Sequence, residues 1–364
     1  MMIFILIIFA LIILLILFNK RAVPVFLYHQ VNPISSSVSP ELFEEHLKII
    51  KKYNMETITI SEYYNKNINK NSMLLTFDDG YYDNFKYVFP LLKKYNMKAT
   101  IFLNTLYIME KRESEPEIKD NNTVNLEAIK KYIENGKATI NQYMSWEEIK
   151  DMYDSGLIDF QAHSHKHMAI FTNTKIEGLT KKDRMEAPEL YLYGELEDNF
   201  PVFAKRGEYS GKAKIVKKKF FNIFKNFYEE NIENKITDKN EILKKCQEFI
   251  DKNNEYFSDE NEAEYKKRIE EDYLENKKLI EKKLGNQVKF FCWPWGHRSK
   301  ETIKILKELG VVGFISTKKG TNSMKPNWDM IRRIELRKYT PKKFKINLLV
   351  ARNLILGKIY GWIS

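Results

Sequence analysis

Cysteine and histidine are both scarce in this 364-residue chain, and the scarcity narrows the chemistry open to it. The two cysteines, Cys246 and Cys292, lie far apart and form neither a CxxC pair nor a bridge framework. A disulfide-stapled scaffold and a cysteine-paired zinc finger are thereby excluded. No aromatic-basic recognition motif accompanies the formal charge of +11, so no nucleic-acid partner is expected. That charge suits an anionic membrane surface or an acidic glycan, but lysine scattered among asparagine and isoleucine on a solvated surface accounts for it without either. Simple repeats are missing and hydrophobic residues make up 43%, which argues against disorder and allows one large α/β domain with insertions, or two domains.

The first eighteen residues, MMIFILIIFALIILLILF, carry no charged or polar side chain and run directly into Asn19, Lys20 and Arg21. As a helix they would span about 27 Å, close to a bilayer's hydrocarbon core. With no basic leading region and no A-x-A-like cleavage site, they read as an uncleaved single-pass anchor over residues 1–18 rather than a signal peptide.

Beyond them, β-rich runs alternate with amphipathic ones. VPVFLYH, METITI, SMLLTF, KATIFLN, LIDFQAH, VKFFCWP, VVGFIST and MIRRIELRKY read as strands. Ser39 with Pro40 opens a helix, and Ser145 with Glu148 forms a capping box closed by Gly156. Strands separated by helical crossovers imply a parallel α/β sheet, open or closed into a barrel. Residues 170–287 interrupt this rhythm as a largely helical insertion, whose apolar stripe Ile242, Cys246, Phe249 and Ile250 is expected to pack onto the barrel. Residues 341–364 read as a final helix, packed or lying along a membrane interface.

Two clusters carry chemistry. In LLTFDDGYYDNF, Asp78 and Asp79 stand side by side at a strand end, where like charges repel unless a cation lies beside them. A strand-ending Asp-Gly turn is the competing reading. In FQAHSHKHMA, His163, His165 and His167 gather half of the chain's six histidines, and His163 and His167 share a face whether the segment is extended or helical. Two imidazoles and one carboxylate make an open three-ligand hydrolytic centre, leaving a second carboxylate free as a base.

TFDDG, HSHKH and CWPWG, in this order, resemble the motifs of the polysaccharide deacetylase family, the NodB-homology group or carbohydrate esterase family four. The resemblance runs over residues 22–340 outside the insertion. It implies an irregular (β/α)7 barrel and removal of acetyl groups from N- or O-acetylated sugars. It also implies Asp79, His163 and His167 as ligands of a divalent metal, zinc first, with Asp78 as general base. By the same resemblance Trp295 supplies an oxyanion N–H, and Trp293, Trp295 and Tyr81 line the sugar and acetyl pocket. Where many members place an arginine this chain has Cys292, and Arg332 or Arg333 is the candidate replacement. No histidine follows His297 to act as the usual acid. AVPVFLYHQV resembles the N-terminal Tyr-His segment of poly-β-1,6-N-acetylglucosamine deacetylases, which makes His29 the expected acid. The implied partners are an acetylated glycan and, through the anchor, a membrane; no protein partner is legible. Substrate class favours an extracytoplasmic body, whereas Lys20 and Arg21 favour the cytoplasm, and the reading leans outward. A catalytically inactive glycan-binding relative and another metal hydrolase on an α/β barrel are the alternatives.

Overall fold

The computed structural model describes residues 2–17, 21–34 and 38–363. Seven parallel strands form the core: β1 (Val25–Tyr28), β2 (Ser72–Asp79), β3 (Ala99–Leu103), β4 (Ile158–Ala162), β5 (Phe290–Cys292), β6 (Gly313–Ile315) and β7 (Ile334–Glu335). Their order is β6-β5-β4-β3-β2-β1-β7, with a short strand Glu56–Thr57 beside the start of β2. Every residue of β2 is buried, as expected for a strand covered on both faces. The register sets Leu103 beside Ala162 and Asp79 beside Leu103, so the ends of adjacent strands open on one rim.

The expected (β/α)7 ring is not fully closed. Among the described residues edge strands β6 and β7 form no ladder with each other; Ile315 makes an isolated parallel bridge to Ile331, ahead of β7, and the sheet is a curled half-barrel. METITI departs too: after Glu56–Thr57, Thr59 accepts the Glu62 N–H and Glu62 answers at the Thr59 N–H, a capping box that turns the run into the helix Ile60–Tyr64. The caps at Ser39 and at Ser145 with Glu148 form as the sequence implies.

The single-pass anchor is corrected. The first helix covers Met2–Leu17, 16 residues. At 1.5 Å per residue that is about 24 Å, short of a ~30 Å hydrocarbon core. No described helix is long and apolar enough to cross a membrane. Residues 18–20 of the expected span and flank lie outside the described residues. Arg21 already bridges to Asn353 in the body of the fold. At the other terminus, Pro341–Ala351 buries Phe344, Leu348 and Ala351 in the main core.

The insertion stripe also packs differently from expectation. Cys246 and Ile250 join Phe171, Phe220, Phe221 and Phe224 in a core separate from the one under the sheet. The antiparallel hairpin Ala169–Leu179 with Pro201–Gly207 and the helix Lys219–Asn231 supply these rings locally, so the stripe finds its apolar partner inside the insertion. The long helix Glu262–Leu284 behaves otherwise, placing Tyr265, Ile269, Tyr273 and Ile280 in the main core.

His46, on the helix Pro40–Lys52, is fully buried between Tyr28 and Tyr339. Its Nε2 donates to the Tyr339 carbonyl (2.9 Å), so Nδ1 accepts the Tyr28 hydroxyl (3.0 Å), and its ring stacks on Phe344 at 4.2 Å. Burial pulls its pKa down to about 4. A folded pKa below the unfolded value of roughly 6.5 means its contribution is intact above pH 6.5 and lost as pH falls toward 4. The full loss is about 3 kcal/mol. Thermal melts are expected to fall over this window more steeply for the native chain than for His46→Gln. Parallel curves for the two would exclude His46 as a source of acid lability.

Candidate active site

The two carboxylates of the DDG stretch diverge. Asp79 and Gly80 both adopt positive φ (76° and 84°), and the Gly80 N–H returns to the Asp78 carbonyl at 3.1 Å. A Cβ on Gly80 would sit 2.9 Å from Leu103 Cδ2. The Asp-Gly turn is therefore real, and it is also the device that aims two adjacent side chains at different partners. Asp79 is a non-glycine residue in the left-handed region, as are Ser164 and His167 in the histidine segment (75° and 54°). Such backbone costs about 1–3 kcal/mol each and gathers at functional sites.

Asp79 faces the histidines. His163 Nε2 lies 3.5 Å and His167 Nε2 3.7 Å from Asp79 Oδ1. Donor atoms of the three residues all fall within 4.8 Å of one another. His163 Nδ1 donates to the Cys292 carbonyl at 2.9 Å, which leaves the Nε2 lone pair toward Asp79. Burial holds both imidazoles at about 4, neutral at ordinary pH. Lone pairs from two neutral rings and one carboxylate thus converge on a point, an arrangement that fits a shared borderline divalent cation. His165 takes no part; its Nδ1 lies 2.9 Å from Thr105 Oγ1.

Asp78 faces Arg333. Both are fully buried, and the guanidinium donates to both carboxylate oxygens, Nη1 to Oδ1 at 2.7 Å and Nη2 to Oδ2 at 2.8 Å. Burial alone would raise the Asp78 pKa, but Arg333 outweighs it and holds the carboxyl well below the usual range. Arg333 Nη2 also reaches Cys292 Sγ at 3.1 Å. Of the two arginines the sequence left open, Arg333 makes the contact; Arg332 instead donates to the Lys319 carbonyl at 3.0 Å. Asp78, His163 and Cys292 form a second cluster of donor atoms. Arg333 already supplies the positive charge there, and His163 Nδ1 is committed elsewhere, so this cluster does not suit a cation.

His29, at the end of β1, lines the same cavity of about 490 Å³ with Asp78, Asp79, His163 and His167. Its carbonyl accepts from Asn84 Nδ2 at 3.0 Å. Tyr81 and both expected tryptophans line it too. Trp293 is buried and stacked on Phe314 at 5.0 Å, and its Nε1 has no hydrogen-bond partner among the described residues. Trp295, at φ 51°, stands edge-on to His167 at 4.2 Å. Tyr81 stacks on Tyr143 and donates to Asn125 Oδ1 at 3.2 Å.

Several supporting residues escaped the sequence. Asn104 Nδ2 donates to Asp79 Oδ1 at 2.9 Å. Asp272, buried in the helix Glu262–Leu284, accepts the His165 and Lys166 N–H groups (2.8 and 3.0 Å) and the Tyr209 hydroxyl (2.6 Å). Asn276, one turn on, donates to the Leu103 and Ser164 carbonyls at 2.9 and 2.5 Å. The available signal was an i, i+4 pair of polar residues on the face of that helix that carries Ile269, Tyr273 and Ile280.

A carboxylate and two neutral imidazoles beside a second, arginine-bound carboxylate, at the carboxyl ends of parallel strands, form a donor set able to hold a metal ion, at the rim where α/β folds place their sites. The polysaccharide deacetylase family model matches residues 65–204 and 253–314, more than half of the chain, and the chain belongs to that family. A poly-beta-1,6-N-acetyl-D-glucosamine N-deacetylase of Staphylococcus aureus (strain MRSA252) is 28% identical over 195 residues, 47% of this chain and 59% of that protein. The chain thus spans less than two thirds of the length of the curated relatives it matches. Among solved structures, the BpsB deacetylase domain from Bordetella bronchiseptica shares the fold at a TM-score of 0.55 and 17% identity, over 87% of this chain and 97% of that one. IcaB from Ammonifex degensii does so at 0.50 and 16%, over 92% and 98%.

Proposed function

We propose that the protein is a metal-dependent deacetylase that hydrolyses acetyl groups, N-linked first and O-linked second, from a cell-surface polysaccharide or lipid-linked glycan. The convergence of Asp79, His163 and His167 carries this reading. Those three residues would hold a divalent ion, zinc first, which would supply Lewis acidity for the attack of water on an acetyl carbonyl. Asp78 takes the proton of the attacking water; Arg333 occupies one lone pair on each of its oxygens and leaves others free. His29 delivers a proton to the departing sugar nitrogen, which is a poor leaving group without one. The Trp295 N–H steadies the charge that develops on the acetyl oxygen. Trp293, Trp295 and Tyr81 wall the acetyl pocket and exclude water from it.

The experiment is acetate release from a panel of acetylated glycans, with and without a chelator, alongside the metal content of variants. Native protein and His165→Ala are expected to carry about one divalent ion per chain. The double variant His163→Ala, His167→Ala is expected to carry none and to release no acetate. Stoichiometric metal in the double variant would reject the ligand set.

A further inference from the structure

Two segments outside the strand rim complete the wall of the catalytic cavity. The helix Asn121–Asn135 contributes Asn121, Asn122, Asn125 and Ile129, and the insertion's short helix Ala187–Tyr193 contributes Ala187 and Pro188. At 100° per residue the four positions on the first helix fall within about 100° of arc, so one face of it is turned to the cavity. The two helices pack on one another: Ile129, Ala187 and Leu190 share the main core, and the Tyr132 and Tyr191 rings are 6.4 Å apart.

Asn125 is held more firmly than the asparagines beside it. Tyr81, two residues after Asp79, donates its hydroxyl to Asn125 Oδ1 at 3.2 Å, and the Tyr143 hydroxyl donates to the same oxygen. Tyr81, Tyr143 and Tyr107 form one buried stack with ring centroids 5.2 and 4.7 Å apart, and Tyr107 anchors it on the Lys166 carbonyl at 2.8 Å, one residue from His167. Two hydroxyls fill both lone pairs of Oδ1, which fixes the plane of the amide. Asn125 is half buried, its Nδ2 has no hydrogen-bond partner among the described residues, and unlike Asn104 Oδ1 and Trp293 Nε1 that atom is not sealed from solvent. A fixed donor is thus left open on the wall of the cavity. Beyond the aspartates and histidines, the charged side chains there are Glu186, Glu335 and Arg337; Arg337 meets Glu335 at 2.9 Å, and Glu186 caps the helix that follows it. Recognition on this wall falls to amides and rings rather than to a free cation.

Resting on the deacetylase reading above, we propose that Asn125, with Asn121 and Asn122 beside it, forms a subsite for a second sugar unit of the glycan. Asn125 Nδ2 donates to an acceptor oxygen of that unit, a hydroxyl or an acetamido carbonyl, while the acetylated unit lies at Asp79 and its histidines. The tyrosine stack sets the distance between the two, because it touches both Asn125 and the segment that carries His167. The chain therefore selects an oligomer over a single sugar.

The test is calorimetric titration of the full chain carrying Asp78→Asn, so that the sugar is not consumed, with N-acetylglucosamine, N-acetylchitopentaose and cellopentaose. The N-acetylated pentamer is expected to bind about tenfold more tightly than the single sugar. Asn125→Asp keeps an acceptor for both tyrosine hydroxyls and removes only the donor, and it is expected to lower pentamer affinity about tenfold. An Asn125 that serves the tyrosines alone would leave that affinity unmoved. The exposed pair Asn121→Ala, Asn122→Ala is expected to lower it about threefold, and it decides the matter should Asn125→Asp fail to fold. A loss confined to N-acetylchitopentaose assigns the acceptor to an acetamido carbonyl; a loss shared by cellopentaose, which has hydroxyls and no acetamide, assigns it to a hydroxyl. A pentamer bound no more tightly than the single sugar, or bound equally with and without Asn125→Asp, overturns the proposal. Acetate release is assayed separately on the native chain. Pentamer affinity that depends on Asn125 without any release rejects the deacetylase reading alone, and release with no dependence on Asn125 rejects the subsite alone.

Discussion

Asp78→Asn is expected to lower acetate release by about 10²–10⁴ while the metal stays bound. The amide keeps the shape of the carboxylate but cannot accept the proton of the attacking water. Asp79, not Asp78, faces His163 and His167, so the cation set is untouched by the change. Turnover and metal content measured on the same preparation separate the base role from a ligand role. Unchanged turnover would return Asp78 to the part of a strand-ending residue. Assays belong below the variant's melting temperature, because the substitution also leaves Arg333 with less negative charge to face.

That coupling is the basis of the second large effect. Arg333→Met is expected to destabilise the chain by about 3–5 kcal/mol, since it leaves a buried carboxylate without its charged partner. Asp78 and Arg333 are both buried, and the guanidinium meets both carboxylate oxygens, so each charge relies chiefly on the other. A chain with both residues made apolar, Asp78→Leu with Arg333→Met, is expected to be more stable than Arg333→Met alone. Urea midpoints of the native, single and double variants form the cycle. If the double variant is the least stable of the set, packing around the pair matters more than its charge.

Legibility followed the range of the interactions. Caps at Ser39 and Ser145 are settled within four residues, and the strands from β2 to β5 announce themselves as short apolar runs. The DDG and HSHKH segments are each local, but it was the family resemblance that set Asp79, His163 and His167 together before any geometry. Ring closure was not legible, because whether β6 meets β7 depends on the summed twist and register of the whole sheet. The choice between Arg332 and Arg333 turned on which neighbour points inward beside β7, a matter of a single residue's phase. An apolar run marks a helix without fixing its length, and the described helix Met2–Leu17 is shorter than a bilayer span needs. Asp272 and Asn276 were hidden for another reason: on sequence they resemble the many solvated polar residues of a charged helix, and only the arrival of the histidine segment beside them gives them a task.

The two halves of the insertion answer to different constraints as the gene diversifies. The helices Lys219–Asn231 and Lys239–Lys252 close with the hairpin on a phenylalanine cluster of their own, whereas Ala187, Leu190 and Tyr209 reach the main core, so lengthening or trimming those two helices leaves the interior beneath the sheet intact. The helix Glu262–Leu284 has no such freedom, because Asp272 holds the His165 and Lys166 amides in place. A shift of that helix by one residue would carry Asp272 about 100° around its axis and release the segment that presents His167. Variation in segment length is therefore expected to concentrate between residues 219 and 252, whose helices belong to the separate phenylalanine cluster and line no part of the cavity.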